Sequence, residues 1–150
     1  MDNVVEIDSN HSVARFAPDE AALRQAADQG FRSVVNFRTA EEKQEITPDE
    51  ERRLAEAAGL TYLHHPVAPD ALDDALVEDF RQKLADLSGP VLFHCASGKR
   101  AGAMTLMAMA AREGLDGDAA LAKGRERGLD LSQEKIGQFV KDYADRKGRS

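Results

Sequence analysis

The stretch Pro90-Val-Leu-Phe-His-Cys95-Ala-Ser-Gly-Lys-Arg100-Ala-Gly-Ala-Met-Thr-Leu-Met-Ala-Met-Ala-Ala111 decides the fold. Its opening apolar run, Val91 to Phe93, has the length and composition of a buried strand. The run stops at the chain's single cysteine. From Ala101 to Ala111, Ala, Met and Leu recur at every helical offset, as on a helix buried over most of its circumference. Residues 96–100 between them read as a tight loop. A strand, a glycine-containing turn and a helix in this order gather the loop amides and the helix's unpaired first-turn donors around one point, which suits an anion. Cys95 stands at the rim of that point. There the helix N-terminus, Lys99 and Arg100 favour the thiolate, the nucleophilic form of the side chain. Gly98 lets the backbone turn without a side chain blocking the cradle, and Arg100 can offer a planar two-pronged donor to an oxyanion. Lone cysteines commonly just fill space at a strand end. Here cysteine, glycine and arginine together supply nucleophile, turn and anion clamp.

The rest of the chain bounds this reading. With 150 residues and 42% hydrophobic content, it suffices for one domain with a sizeable core, residues 1–150, and is too short for two. No stretch approaches a membrane span, and the N-terminus lacks a basic, apolar, small-residue signal. A cytoplasmic protein is therefore expected. One cysteine excludes an internal disulfide and agrees with a reducing compartment. A net charge of −7 argues against broad nucleic-acid binding, so positive potential at the loop must be local.

In chain order, Val4 to Ile7 and Ser12 to Phe16 flank the turn-rich Asp8-Ser9-Asn10 and predict an opening β-hairpin, with His11 as a solvated turn residue. Pro18-Asp19-Glu20 opens a helix with an N1-type proline, running to Gly30 with Leu23 and Ala26 inward. Phe31 to Phe37 reads as a buried strand. Arg38 stands at its end, where the carboxyl ends of parallel strands line a ligand crevice, and offers a second cation near the loop. Residues 41–45 read as an exposed charged connector. Thr47-Pro48-Asp49-Glu50 starts a helix ending at Gly59. Leu60 to Val67 is the next strand; its adjacent His64 and His65 point to opposite faces and cannot both ligate one metal, so no metal is assigned. A loop through Asp70 leads to a helix from about Asp73 to Leu87. Further helices open at Asp116 and after Ser132, and the tail from Lys147 to Ser150 should fray. Strands alternating with helices, then helices alone, predict an α/β domain with a mainly parallel central sheet flanked by helices and a helical C-terminal end.

The loop His94-Cys95-Ala96-Ser97-Gly98-Lys99-Arg100-Ala101-Gly102 resembles the active loop of the beta-lactamase-hydrolase-like sulfurtransferase/phosphatase-like family, itself similar to the cysteine-based dual-specificity phosphatases. Val34-Val35-Asn36-Phe37-Arg38 looks like that family's strand ending in arginine, and His65-Pro66-Val67 like its proline-containing strand end. The resemblance implies a cysteine-based phosphatase-like fold. It also shows departures. The phosphatases carry five residues between cysteine and arginine and a serine or threonine after the arginine. Here there are four, and Ala101 follows Arg100 with no hydroxyl to assist a departing thiolate. Four residues is the length of the rhodanese-type sulfurtransferase loop. The rhodanese fold, however, would place a further strand after the active helix, where residues 115–147 read as mainly helical.

Three functions follow as expectations. In the first, Cys95 is the nucleophile of a sulfurtransferase, moving sulfane sulfur from thiosulfate or a persulfide to a thiol or cyanide. Arg100, Lys99 and the amides of Ala96, Ser97, Gly98 and Ala101 would hold the anionic donor, with His94 orienting the cysteine. In the alternative, a phosphatase forms a phosphocysteine on a phosphate ester, and Asp70, Asp73 or Asp74 protonates the leaving oxygen. Asp70 is the first choice, because it follows a proline after a strand as the general acid of similar phosphatases does. The third is an anion-binding module without turnover. None needs a cofactor, a nucleic-acid partner or a membrane.

Overall fold

The computed structural model describes residues 1–147, and residues 148–150, most of the segment where fraying is expected, lie outside the described residues. Two short strands, β1 (Val4–Asp8) and β2 (His11–Ala14), open the chain as a hairpin, followed by α1 (Glu20–Asp28) and β3 (Ser33–Asn36). Then come α2 (Pro48–Ala57), β4 (Thr61–His64), α3 (Asp74–Leu84), β5 (Val91–His94), α4 (Lys99–Glu113), α5 (Gly117–Arg125) and α6 (Lys135–Lys147). The sheet order is β1-β2-β5-β3-β4. β1 runs antiparallel to β2, and every other neighbouring pair is parallel. The fold is therefore the expected α/β architecture, with β5 at the centre of the sheet and, among the described residues, only helices after residue 98.

Strand parity divides the interior. Val13, Val35, Phe37, Phe93 and Cys95 point into the larger core with α3, α4, α5 and α6, whereas Ala14, Val34 and Leu92 pack with α1 and α2. Successive side chains leave a strand on opposite faces, so the two-residue alternation of β5 sends Cys95 toward α4 and His94 toward α2. Phe37, Phe80 and Phe93 interlock behind the cysteine, with the Phe37 and Phe80 rings 5.0 Å apart at 71°. Such an edge-on pair adds about 0.5–1.5 kcal/mol beyond its buried area. α4 is enclosed all round, with residues 100–110 buried. Gly102 permits that enclosure, since a Cβ there would stand 2.5 Å from Leu129 Cδ2.

Local signals account for the helix starts. Thr47 and Glu50 form a reciprocal capping box ahead of Pro48, and Asp19, Asp73 and Asp116 each accept a hydrogen bond from an amide three residues on. Two expectations need correction. Pro18 precedes the cap of α1, and Asp19 itself is the capping residue. His11 is not a solvated turn residue: it lies in β2 at 2% exposure, its ring stacked on Phe93 with centroids 5.8 Å apart. The turn is tighter than its composition suggests, and Asp8 Oδ1, 2.8 Å from His11 Nδ1, satisfies the ring as it enters the sheet.

Candidate active site

The carboxyl ends of β5, β3 and β2 open on one side of the sheet, and the loop of residues 95–98 sits there. Gly98 makes the turn at φ +98°. That conformation favours glycine, and a Cβ would also come 3.3 Å from Ala14 O and Arg15 Cα. Because Gly98 caps α4 with no side chain, the first-turn amides of the helix stay free for another acceptor. That acceptor is Cys95. Gly98 N lies 3.2 Å and Ala101 N 3.4 Å from Cys95 Sγ, and both donate to it. Cys95 is 1% exposed, while Ala96 and Ser97 beside it are open to solvent. The sulfur is thus held by amides at the floor of an accessible loop.

Arg100, in the first turn of α4, is buried beside it. Its Nη1 donates to Glu42 Oε2 at 2.6 Å and to Val67 O at 2.8 Å, and its Nη2 donates to Glu42 Oε1 at 2.8 Å. The two-pronged carboxylate contact fixes the plane of the guanidinium. Beyond Glu42, the guanidinium also interacts with the Cys95 sulfur, and the Glu42 contact together with Cys95 holds the Arg100 pKa above its ordinary value against the opposing effect of burial. One fork of the arginine is committed to Glu42, and the guanidinium is thereby held beside the sulfur, where an oxyanion bound at the loop would meet it.

Glu42 was not visible in the sequence as a site residue, since residues 41–45 read as a charged connector. Here that connector folds back, with Thr39 N donating to Glu42 Oε2 at 2.7 Å. The Arg100 guanidinium holds the Glu42 carboxyl down at about 2, against partial burial that opposes the shift. A depressed carboxylate contributes stability that is fully present above its ordinary value of 4.5 and is lost as pH falls through about 2. Glu42→Gln is therefore expected to be less stable than the parent at neutral pH, with the gap closing between those two values. Urea unfolding midpoints followed against pH check this, and a gap that stays constant with pH would contradict it.

Behind the loop lies a second charged cluster. Glu51 of α2 is wholly buried, and a buried carboxylate persists only when paired. Its Oε1 accepts from Arg38 Nη2 at 2.9 Å and its Oε2 lies 2.6 Å from His94 Nε2. Asn36 Oδ1 accepts from Arg38 N at 2.9 Å and Nε at 3.2 Å, while Asn36 Nδ2 donates to the Tyr62 hydroxyl. His94 Nδ1 stands 3.4 Å from Cys95 O. His94 thus ties the backbone at the cysteine to α2 and β3. Arg38 lies at the strand end as expected, with its Nε and Nη2 engaged in this cluster.

The other candidates divide. Lys99 turns away from the loop to Glu134, 2.9 Å from its Oε1. The loop from Pro66 to Asp73 is tied to the site through Val67 O. Of its acids, Asp73 caps α3 and Asp74 accepts from Arg146. Asp70 is exposed and has no hydrogen bond or ion pair among the described residues. Burial pushes the imidazole of His65 down, while His64 contacts Arg38 O. No helix among the described residues is long and apolar enough to cross a membrane.

Residues 6–113 match the family described as beta-lactamase hydrolase-like protein, phosphatase-like domain. A beta-lactamase hydrolase-like protein of Xylella fastidiosa is 37% identical over 112 residues, covering 71% of this chain and 25% of that protein. Its counterpart in Agrobacterium fabrum is 39% identical over 90 residues, covering 59% of this chain and 20% of the relative. The chain thus spans about a quarter or less of the length of these curated relatives. Among solved structures, a candidate phosphatase from Neisseria meningitidis superposes with a TM-score of 0.77 at 24% identity, covering 94% of this chain and 98% of that one. P. aeruginosa TpbA in complex with pTyr superposes with a TM-score of 0.72 at 21% identity, covering 99% and 91%. At such identities the likeness is one of fold. The family match and the shared cysteine-based phosphatase fold together place the chain in the beta-lactamase hydrolase-like, phosphatase-like domain family.

Proposed function

We propose that the chain is a cysteine-based sulfurtransferase built on a phosphatase-type scaffold. Cys95 attacks the outer sulfur of thiosulfate or of a persulfide. The sulfur–sulfur bond of the donor breaks, its electron pair leaves with sulfite or thiolate, and Cys95 carries the transferred sulfur as a persulfide. A thiol or cyanide then takes that sulfur, and the electron pair of the cleaved bond returns to Cys95. Arg100, held beside Cys95 by Glu42, suits the donor's oxyanion, and the loop amides suit negative charge on sulfur. Sulfite leaves as a stable anion, so no general acid is needed.

One observation carries this reading. The residue after Arg100 presents to Sγ only a backbone amide, Ala101 N at 3.4 Å. It offers no hydroxyl to help expel the thiolate from a phosphocysteine, and the loop is one residue short of the phosphatase length.

The second reading, a phosphatase, is the one that the family description and the fold relatives favour. Its specific support here is Asp70, an acid without a partner among the described residues, three residues beyond the carbonyl that anchors Arg100. Scaffold alone does not fix chemistry. The two are separated by assaying thiocyanate from thiosulfate and cyanide, phosphate from an aryl phosphate, and the intact mass after thiosulfate. Sulfur transfer predicts thiocyanate, a one-sulfur mass gain on Cys95, and an Asp70→Asn variant that keeps its rate. Phosphate release slowed by Asp70→Asn, with no persulfide formed, would reverse the order.

A further inference from the structure

The pole of the sheet opposite the cysteine loop carries a separate cleft, and we infer that it binds a small carboxylate with an apolar body and a hydroxyl group. It opens where β2 and β5 begin, beside His11 and Val91. Val91 stands four residues before Cys95 along the strand, or about 13 Å at the rise of extended chain. The reaction at Cys95 therefore has no part in it. The cleft holds about 340 Å³, within the range of pockets that take small ligands, about 300–1,000 Å³. Its apolar walls are the half-buried Leu84 and Leu87 together with Val91 and Met109, and the last two are core residues at 1% exposure. An apolar body seated there touches the core itself.

Three polar groups set the ligand's chemistry. Arg81 stands in the last turn of α3 and Arg112 in that of α4, and both line the cleft. Basic residues in a last turn ordinarily complement the carbonyl end of the helix. Here the carbonyls of Arg81, Lys83, Leu84 and Ala110 are met by backbone amides. The guanidinium groups turn to acids instead, Arg81 Nη1 to Glu78 Oε2 at 2.9 Å and Arg112 Nη2 to Glu113 Oε2 at 3.3 Å. Both acids are shared. Glu78 also accepts from the Tyr143 hydroxyl at 2.8 Å and lies 3.6 Å from Lys147 Nζ, and Glu113 accepts from Lys123 Nζ at 3.3 Å. Four cations thus meet two carboxylates, a local positive surplus in a chain of net charge −7. A carboxylate suits that surplus. The third group is His11. Asp8 Oδ1 lies 2.8 Å from its Nδ1, and because a carboxylate can only accept, Nδ1 carries the proton and the neutral ring offers Nε2 as an acceptor. Nε2 makes no hydrogen bond among the described residues, while stacking on Phe93 fixes the ring. A hydroxyl donates to such an atom, and a carboxylate cannot.

The test is a titration of the full chain with para-hydroxyphenylacetate, followed through the amide shifts by NMR. Saturable shifts are expected around His11, Arg81 to Leu87, Val91 and Ala108 to Arg112. Phenylacetate lacks the hydroxyl and tyrosol lacks the charge. Each should bind about threefold to tenfold more weakly, the scale of one hydrogen bond or one exposed ion pair. Arg112→Glu changes an exposed residue, so it should weaken para-hydroxyphenylacetate by a similar factor and leave thermal unfolding close to the parent's. No saturable binding, shifts confined to the cysteine loop, equal binding of phenylacetate or tyrosol, or unchanged binding by Arg112→Glu would each overturn the site. Resonances of the cleft that move with protein concentration, before any ligand is added, would make a second copy of the chain its occupant and overturn the assignment to a small molecule.

Discussion

Cys95→Ser is expected to abolish thiocyanate formation, lowering kcat by at least about 10⁴-fold, the scale on which removal of a nucleophile acts in enzymes that proceed through a covalent intermediate. A serine oxygen cannot form the sulfur–sulfur bond in which the transferred atom is carried, so the loss is one of chemistry. The surroundings should survive the change. The donors from Gly98 and Ala101 would meet a hydroxyl oxygen in place of sulfur, and the enclosing Phe37, Phe80 and Phe93 are untouched. Thermal unfolding and the amide spectrum should therefore stay close to the parent, while the one-sulfur mass gain after thiosulfate disappears. Thiocyanate formed by the serine variant at a rate near the parent's would show that sulfur passes by some route that avoids Cys95, and the function proposed above would fall with it.

The cysteine loop could be read from the sequence because each of its parts has a local cause. An apolar triplet, a glycine that must adopt positive φ and an apolar helix without periodicity follow one another in a single stretch, and β5, the turn at Gly98 and the buried α4 answer to them in turn. What binds that loop from elsewhere could not be read in this way. Glu51 is a first-turn acid of a helix opened by Thr47 and Pro48, indistinguishable in sequence from the acids that complement a helix dipole. Its burial depends on where α2 packs against β3 and β5, which only the tertiary arrangement sets. Glu42 sits in a run of charges whose solvated appearance gives no hint that one member turns inward to Arg100. Arg38 was legible as a cation at a strand end, but its partners were not. His11 was misread for the same reason, since a histidine beside a turn looks exposed until Phe93 of a distant strand is laid under it. Local signals fixed the elements, and the long-range charge pairings had no local signature.

Those pairings predict the largest loss of stability in the molecule. Glu51→Gln should destabilise the fold by about 3–5 kcal/mol, the cost of breaking a buried ion pair from one side. An amide keeps one acceptor and turns an NH₂ toward the other donor, so either Arg38 Nη2 or His94 Nε2 is left facing a group that cannot accept from it. Total stabilities for domains of this size are about 5–15 kcal/mol, so the variant should still fold and can be measured by urea unfolding. Arg38→Met combined with Glu51→Gln should be less damaging than the sum of the two single changes, because the stranded guanidinium is removed with its partner. Additive losses would show that the pair does not act as a unit. The effect should also reach the loop. With His94 no longer held from α2, the Cys95 backbone loses its tie at the end of β5, and hydrogen exchange at Gly98 and Ala101 should quicken more than exchange in α6. A destabilisation under about 1 kcal/mol, within the range of ordinary surface substitutions and their near neighbours, would mean that Glu51 merely fills space between α2 and the sheet, and that the sulfur is positioned by its own loop alone.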